Sequence, residues 1–163
     1  HQCWSSVSNF KTLEKSNEST MRPIKEIILH CTGTVPSRSI TVETIRNYHV
    51  RVKGWEDIGY HFLIDADGVC WNGRAIEKPG AHCKYHNKES IGVAYVGGLH
   101  FDGETPMDTR TTPQKVALVK LVKNLMFKYD ITQENIHCHN EYSSKACPCF
   151  TIESFRAELR ASM

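Results

Sequence analysis

Residues 24–30 read Ile-Lys-Glu-Ile-Ile-Leu-His, and this isoleucine-rich run predicts a buried β-strand that ends in a polar residue. Residues 91–96, Ile-Gly-Val-Ala-Tyr-Val, form a second apolar run, which Gly97 and Gly98 bring to an end. Residues 135–139 are predicted to form a further, short strand. Apolar runs of this length are typical of strands that are buried on both faces of a sheet.

Residues 60–65 predict a further strand, and an Asp67-Gly68 pair follows it at once. This dipeptide between two apolar runs is a strong signal for a tight hairpin turn. Residues 69–71 are therefore predicted to return beside the first strand as the second half of a hairpin.

Two segments predict helices with recognisable ends. Thr41 is a suitable N-cap for a helix over residues 42–53, and Gly54 fits the position just after its end. Thr112 and Pro113 are predicted as the N-cap and first residue of a longer helix. That helix has one apolar face, made of Leu118, Leu121, Val122, Leu125, Met126 and Tyr129.

A last helix is predicted over residues 152–159. Strands that alternate with helices indicate an α/β fold, here a single domain with a central mixed β-sheet flanked by helices. The polar composition of residues 1–22 predicts a flexible N-terminal extension, which leaves residues 23–163 as the folded domain. We expect a monomer.

The overall composition excludes several classes of function. A net charge of +2 is too small to indicate nucleic acid as the main partner. No apolar run approaches the roughly 18 residues that a membrane span requires. The sequence shows no signal peptide, because its first residues contain no apolar stretch of the usual length.

The chain has seven cysteines, an odd number that a pure disulfide framework would not use completely. A domain of this length does not need disulfides to be stable. We therefore expect most of the cysteines to be free thiols, with one of them a candidate metal ligand. They are Cys3, Cys31, Cys70, Cys83, Cys138, Cys147 and Cys149.

One short segment carries the clearest chemical signal. His139 and Cys147 stand at the two ends of a polar stretch that can form a loop, so both side chains could reach one zinc ion. Two ligands do not complete a site, and a third must come from elsewhere in the fold. Lys145 lies two residues before the cysteine, where a cation would lower the pKa of the thiol or face a developing oxyanion. Taken alone the spacing is weak, because most cysteines are small buried hydrophobes.

Other candidate residues lie at the ends of predicted strands. His30 ends the first strand, where side chains of α/β sheets face the ligand-binding crevice. His137 and His139 are two residues apart on a strand and would face the same side, so their spacing leaves open which of them is a ligand. Tyr60 begins a strand, where a packed core aromatic is the more common role.

Several motifs, taken in order, resemble those of one enzyme family. They lie at residues 28–32 (ILHCT), 54–62 (GWEDIGYHF), 80–84 (GAHCK), 87–93 (NKESIGV) and 139–150 (HNEYSSKACPCF). Together they resemble the zinc-dependent N-acetylmuramoyl-L-alanine amidases of the amidase type 2 family, over roughly residues 24–160. The resemblance implies an enzyme that uses zinc-activated water to hydrolyse the amide between the lactyl group of MurNAc and L-alanine in peptidoglycan.

The resemblance also implies roles for individual residues. The family's zinc ligands fall on His30, His139 and Cys147, which implies one Zn²⁺ per chain. The catalytic tyrosine and lysine fall on Tyr60 and Lys145, and His82 falls near the substrate groove, where we expect it to bind substrate. Such an enzyme acts on the cell wall. Where we expect serine or another small residue the chain has Cys149, a departure that could alter packing beside the metal.

Two other functions compete with this interpretation. A non-catalytic peptidoglycan-binding module, like some peptidoglycan recognition proteins, would share the fold but lack a full zinc set. The presence of Cys147 together with Tyr60 favours the enzyme. A structural zinc protein that binds nucleic acid would need a basic stripe and a paired cysteine clip, and the sequence has neither.

Overall fold

The computed structural model describes residues 22–162, so the predicted N-terminal extension lies almost wholly outside the described residues. A five-stranded sheet forms the centre of the domain, with strand order β3-β2-β4-β1-β5. Its strands are β1 (Glu26–Cys31), β2 (Phe62–Ile64), β3 (Cys70–Asn72), β4 (Ser90–Tyr95) and β5 (Ile136–Cys138). The β2 and β3 strands form the predicted antiparallel hairpin, and the other neighbours are parallel. The predicted mixed sheet is therefore confirmed.

The helices are α1 (Val42–Asn47), α2 (Thr112–Tyr129) and α3 (Ile152–Ala161). Thr41 caps α1 as predicted. The N-cap of α2 is Thr111, one residue before the predicted Thr112. Thr111 and Gln114 form a capping box in which each side chain accepts the other residue's backbone N–H. That reciprocal pair satisfies two backbone donors at the start of the helix, which Thr112 as the cap would not.

The helix predicted over residues 42–53 is regular only in its first half. Tyr48–Val52 form a π turn, in which the backbone N–H of Lys53 donates to the carbonyl of Tyr48 at 3.1 Å. The wider turn rotates Val52 into solvent, where it is 69% exposed, and leaves His49 buried. Gly54 follows with φ of +76°, which fits its predicted place after the helix end.

The two faces of the sheet pack against different helices. On one face, Ile27, Leu29 and Cys31 of β1 belong to a large apolar core with side chains of α2 and α3. On the other face, a smaller apolar cluster consists of Val42, Ile45, Ile58, Leu63, Ala94 and Val96. Because side chains alternate along a strand, His30 points to this second face, the one that α1 covers.

The cysteines mostly follow the expectation of free thiols. Cys31, Cys83, Cys138, Cys147 and Cys149 are free, whereas Cys70 is disulfide-bonded. Across residues 22–162, the structure has no helix that is both long and apolar enough to cross a membrane.

Candidate metal centre

Three side chains from separate parts of the chain converge at the carboxyl end of the sheet. His30 lies on β1, His139 begins the 3₁₀ turn that follows β5, and Cys147 lies in the loop beyond that turn. Their ligand atoms all lie within 4.8 Å of one another. Because β1 and β5 are parallel neighbours, their carboxyl ends meet at the same edge, which brings the two histidines together.

Hydrogen bonds shape the loop that carries Cys147. The side chain of Asn140 donates to the carbonyls of Ala146 at 3.3 Å and Phe150 at 3.0 Å, and so closes the loop. The hydroxyl of Tyr95 donates to the carbonyl of Pro148 at 2.8 Å. The Sγ of Cys147 accepts the backbone N–H of Cys31 at 3.2 Å, which holds the sulfur beside the end of β1. The loop is therefore tied to the sheet at the cysteine and at the residue after it.

The donor set fits a zinc ion. The Nδ1 of His30 lies 3.9 Å from the Sγ of Cys147. Ordinary zinc–nitrogen and zinc–sulfur bonds at a tetrahedral angle separate two such ligands by about 3.6 Å. The Nδ1 of His139 is buried and has no hydrogen-bond partner among the described residues. A buried polar atom without a partner is costly, and a metal bond would satisfy it.

The histidines of this region are held in their neutral form. Burial, and then the neighbouring His139, lower the pKa of His30 well below its ordinary value. Burial, followed by the positive charge of Lys145, also lowers the pKa of His139. Neutral imidazoles carry a free lone pair, so both rings are in the state that binds metal at neutral pH.

The spacing of His137 and His139 left open which of them is a ligand, and the structure gives the two rings different surroundings. The Nδ1 of His137 lies 3.2 Å from a carboxylate oxygen of Glu141, and its Nε2 lies 3.8 Å from Glu26. The strand ends at Cys138, so His139 leaves the alternating pattern and turns toward His30. The ring centroids of His30 and His139 are 4.6 Å apart.

Tyr60 lies beside His30, with 5.3 Å between their ring centroids. Its hydroxyl donates to the carbonyl of Cys31 at 3.4 Å, one residue beyond the candidate ligand. Burial raises the pKa of Tyr60 above its ordinary value, and the thiols of Cys147 and Cys31 add to this effect. Tyr60 is therefore a neutral phenol at pH 7 and can offer a proton beside the cluster.

Lys145 is exposed on the same loop as Cys147. Its backbone N–H donates to the hydroxyl of Ser143 at 3.0 Å, which folds the loop locally. The charge of its side chain is close enough to lower the pKa of His139. Lys145 thus places a positive charge near His139.

His82, the predicted substrate contact, lies in the protein interior. His82 is 8% exposed and faces the Nε2 of His30, whereas Cys147 faces the Nδ1 of the same ring. One ring nitrogen lies 2.8 Å from His30 and the other lies 3.1 Å from Ser90, so both are engaged within the protein. Substrate binding by His82 stays a prediction, and the sequence could not show that the ring is buried.

A family comparison agrees with this geometry. Residues 20–150 match the family described as N-acetylmuramoyl-L-alanine amidase, Amidase_2. The chain belongs to this amidase family. The match includes His30, His139 and Cys147, and the fold and amidase activity predicted from the sequence are confirmed.

Relatives of known name support the assignment. The endolysin of Escherichia phage T7 is 39% identical over 140 residues, which cover 85% of this chain and 87% of the phage protein. Among solved structures, the N-acetylmuramoyl-L-alanine amidase LysCS of Clostridium intestinale matches with a TM-score of 0.70 and 29% identity, over 86% of both chains. Drosophila PGRP-LB matches with a TM-score of 0.65 and 26% identity, over 87% of this chain and 85% of that one.

Sequence analysis missed residues that hold the cluster rather than form it. Asn140 closes the ligand loop, and Ser90 contacts the ring of His82. Ser90 lies in the motif at residues 87–93, which carries part of the family resemblance. The motif marked the position, but it did not show what the Ser90 side chain contacts. Cys149, where we expect serine or another small residue, donates its thiol to the carbonyl of Gly98 at 3.4 Å and packs against the large apolar core.

Proposed function

We propose that this chain hydrolyses the amide bond between the lactyl group of MurNAc and L-alanine of peptidoglycan, with one zinc ion held by His30, His139 and Cys147. The convergence of these three ligand atoms carries the proposal. The chemistry that zinc supplies at such a site is polarisation of a carbonyl and activation of water, whose pKa falls to about 7. Two neutral imidazoles and one cysteine would supply three protein ligands, which is the usual number in catalytic zinc sites.

Tyr60 and Lys145 would act on the substrate rather than on the metal. The hydroxyl of Tyr60 is a neutral donor beside His30, so it can hand a proton to the reacting amide or hold one in place. The ammonium of Lys145 is close enough to His139 to lower the pKa of that ring, and a charge there can stabilise negative charge that develops on the scissile carbonyl oxygen.

A cavity beside Tyr60 is the proposed place for part of the substrate. It has a volume of about 310 Å³ and lies between the loop after β1 and the helix α1. Its walls include hydroxyl groups and apolar side chains, from Thr32, Thr34, Ile40, Tyr48 and Tyr60. Such a mixed lining suits a substrate that joins a sugar, a lactyl group and a short peptide.

The resulting enzyme would act on the cell wall as a monomer. Relatives named as endolysins support a wall-directed role. The main alternative is a peptidoglycan-binding module without catalysis, since proteins named for peptidoglycan recognition share the fold. The full set of His30, His139 and Cys147 beside Tyr60 favours the enzyme, because a module that only binds needs no metal ligands.

Mass spectrometry of muropeptides incubated with the purified, zinc-loaded chain tests the proposal. We expect separate products that carry an intact lactyl group and a new free amino end on L-alanine. The matched control is Cys147→Ser, which keeps the size of the side chain but replaces the sulfur ligand. Peptidoglycan that is bound without any such products would favour the binding module, and products from cleavage of a different bond would overturn the proposed reaction.

A further inference from the structure

A row of hydrogen bonds begins at the Nε2 of His30, the ring nitrogen that does not face Cys147. The Nε2 of His30 lies 2.8 Å from the Nδ1 of His82, and both rings are buried. The Nε2 of His82 lies 3.1 Å from the Oγ of Ser90. The hydroxyl of Ser90 in turn donates to the backbone carbonyl of His86 at 2.6 Å. His82 and Ser90 therefore each have a partner on both sides.

The far end of this row fixes the direction of every bond in it. A carbonyl oxygen can only accept a hydrogen bond, so the hydroxyl of Ser90 must donate its single hydrogen to the carbonyl of His86. The oxygen of Ser90 is then an acceptor, and the proton in the bond to His82 belongs to the ring Nε2. A neutral imidazole carries one N–H, so the Nδ1 of His82 is an acceptor. His30 must therefore donate to it from Nε2.

The consequence falls on the candidate metal ligand. With its hydrogen on Nε2, His30 presents a free lone pair at Nδ1. Nδ1 is also the atom that faces the sulfur of Cys147 at 3.9 Å. The tautomer that the row enforces is thus the one that a metal needs at this atom.

We propose that His82 is a positioning residue, which fixes the tautomer and ring orientation of His30 for metal binding and does not contact substrate. This inference rests on the proposed zinc site. Histidine ligands generally donate their second nitrogen to an outer partner, usually a carboxylate or a carbonyl, and loss of that partner typically costs 10–100-fold in metal affinity. Here the partner is a second imidazole, whose own tautomer is set by Ser90.

The surroundings of His82 hold its ring in place. A Cβ atom at Gly92 would lie 2.5 Å from the Cγ of His82, and one at Gly80 would lie 2.6 Å from its Cδ2. The two glycines are therefore needed for the ring to fit between them. The side chain of Asn87 accepts the backbone N–H groups of His82 and Cys83 at 2.9 and 3.0 Å, which fixes the backbone below the ring.

Nuclear magnetic resonance of the metal-free chain tests the direction of the row without use of activity or zinc. Long-range correlations between ring hydrogens and nitrogens identify the tautomer of each histidine. We expect His30 and His82 both to carry the hydrogen on Nε2. In Ser90→Ala, which removes the acceptor at the far end, we expect this preference to weaken in both rings. A hydrogen on the Nδ1 of His30 in the unaltered chain would overturn the proposal.

Zinc affinity, measured by competition with a chromophoric chelator, tests the consequence. We expect His82→Leu to weaken zinc binding 10–100-fold. His82→Asn should restore most of the affinity, because its Oδ1 stands where Nδ1 stood and can accept from His30. The matched control is His61→Leu, which removes a buried ring beside His82 that is bonded to Gly92 and Lys78 but not to His30. This control should lower the melting temperature and leave zinc affinity within a few-fold.

The outcomes separate this inference from the proposed function. If the unaltered chain binds no zinc, the proposed function fails, whereas the tautomers of the metal-free chain still test the row. If His61→Leu weakens zinc binding as much as His82→Leu, or if His82→Asn restores nothing, the effect is general packing and the positioning role of His82 is wrong.

Discussion

The two faces of the central sheet are built on different physical principles. The face that packs against α2 and α3 is closed by apolar side chains, among them Leu121, Leu125 and Phe155, all essentially inaccessible to solvent. The opposite face has a smaller apolar cluster, beside which aromatic rings follow one another in contact. They are His49, Tyr60, His30, His82 and His61.

The difference shows that one face of the sheet can tolerate substitutions that the other cannot. Apolar contacts have no direction, so the face against α2 and α3, here called the helix face, needs mainly side chains of the right volume and pattern. A buried imidazole must have partners for its nitrogens, and each partner fixes a direction. The face that carries the aromatic rings, here called the ring face, is therefore where a change of one atom should alter function. The predictions below test this contrast.

The largest effect is expected from the candidate ligands themselves. Cys147→Ser and His139→Ala should each weaken zinc binding by more than the roughly 10–100-fold typical of outer partners, and should abolish hydrolysis. Elemental analysis of protein purified without chelator, together with chelator competition, measures this. His137→Ala is the control and should keep its zinc, because His137 pairs with Glu141 and Glu26. Loss of metal in the His137 variant alone would reverse the choice of ligand.

Tyr60→Phe should retain zinc and lower kcat by roughly 10²–10⁴, the range for a lost proton-transfer group. The ring keeps its contacts with His30 and His49, and only the hydroxyl is removed. Kinetics and zinc content should be measured on the same samples. Wild-type turnover in this variant would assign Tyr60 to packing.

Lys145→Ala should also retain zinc, and its kcat should fall by about 10²–10³, as for the loss of one oxyanion donor. The residue is exposed, so the variant should melt at nearly the temperature of the unaltered chain. Lys145→Arg keeps the charge and is the matched control. If both variants hydrolyse at the unaltered rate, Lys145 has no part in the reaction.

Acid should destabilise the ring face selectively. Burial first, and then nearby charges, lower the pKa of His49 to about 4. Burial also lowers the pKa of His61 to about 4, although its bond to the carbonyl of Lys78 opposes the shift. Because both values lie below the unfolded pKa of about 6.5, the stabilisation is complete above that pH and is lost as the pH falls toward 4.

The free energy of unfolding should therefore fall by up to about 1.4 kcal/mol per histidine for each pH unit in this window. Denaturant unfolding of the metal-free chain between pH 7 and pH 4 measures the slope. His49→Asn should show a shallower decline, because its Oδ1 can still accept the N–H of Gly59 but does not titrate. An unchanged slope in that variant would show that His49 does not contribute.

The smallest effect is expected on the helix face. Ile91→Val removes one buried methylene-sized group from the large core and should cost about 0.5–1.5 kcal/mol. For a chain of this size, each kcal/mol corresponds to roughly 2–4 °C in melting temperature. Zinc affinity should not change. A fall of about tenfold or more in zinc affinity would mean that the two faces are coupled more tightly than their construction indicates.

Much of the fold was readable in the sequence because its signals are local. The isoleucine-rich run at residues 24–30, the Asp67-Gly68 turn and the apolar face of α2 each predict an element that the structure contains. Helix ends were within a residue or two, except that α1 ends at Asn47 where the π turn begins. The error at Thr111 came from two adjacent threonines that both suit a cap. The π turn at Tyr48–Val52 was not predicted, because its pattern differs from a regular helix only in how residues face the core.

The sequence by itself also determined the family and the identities of the candidate ligands, through motifs that agree in type and order. Only the tertiary structure decided their geometry. His30 and Cys147 are 117 residues apart in the chain, and His30 and His82 are 52 apart. No local pattern reports such contacts, since they depend on the order of strands in the sheet and on the closure of the ligand loop. For the same reason, only the structure shows that His82 is buried against His30, because burial is a property of the folded chain and not of a motif.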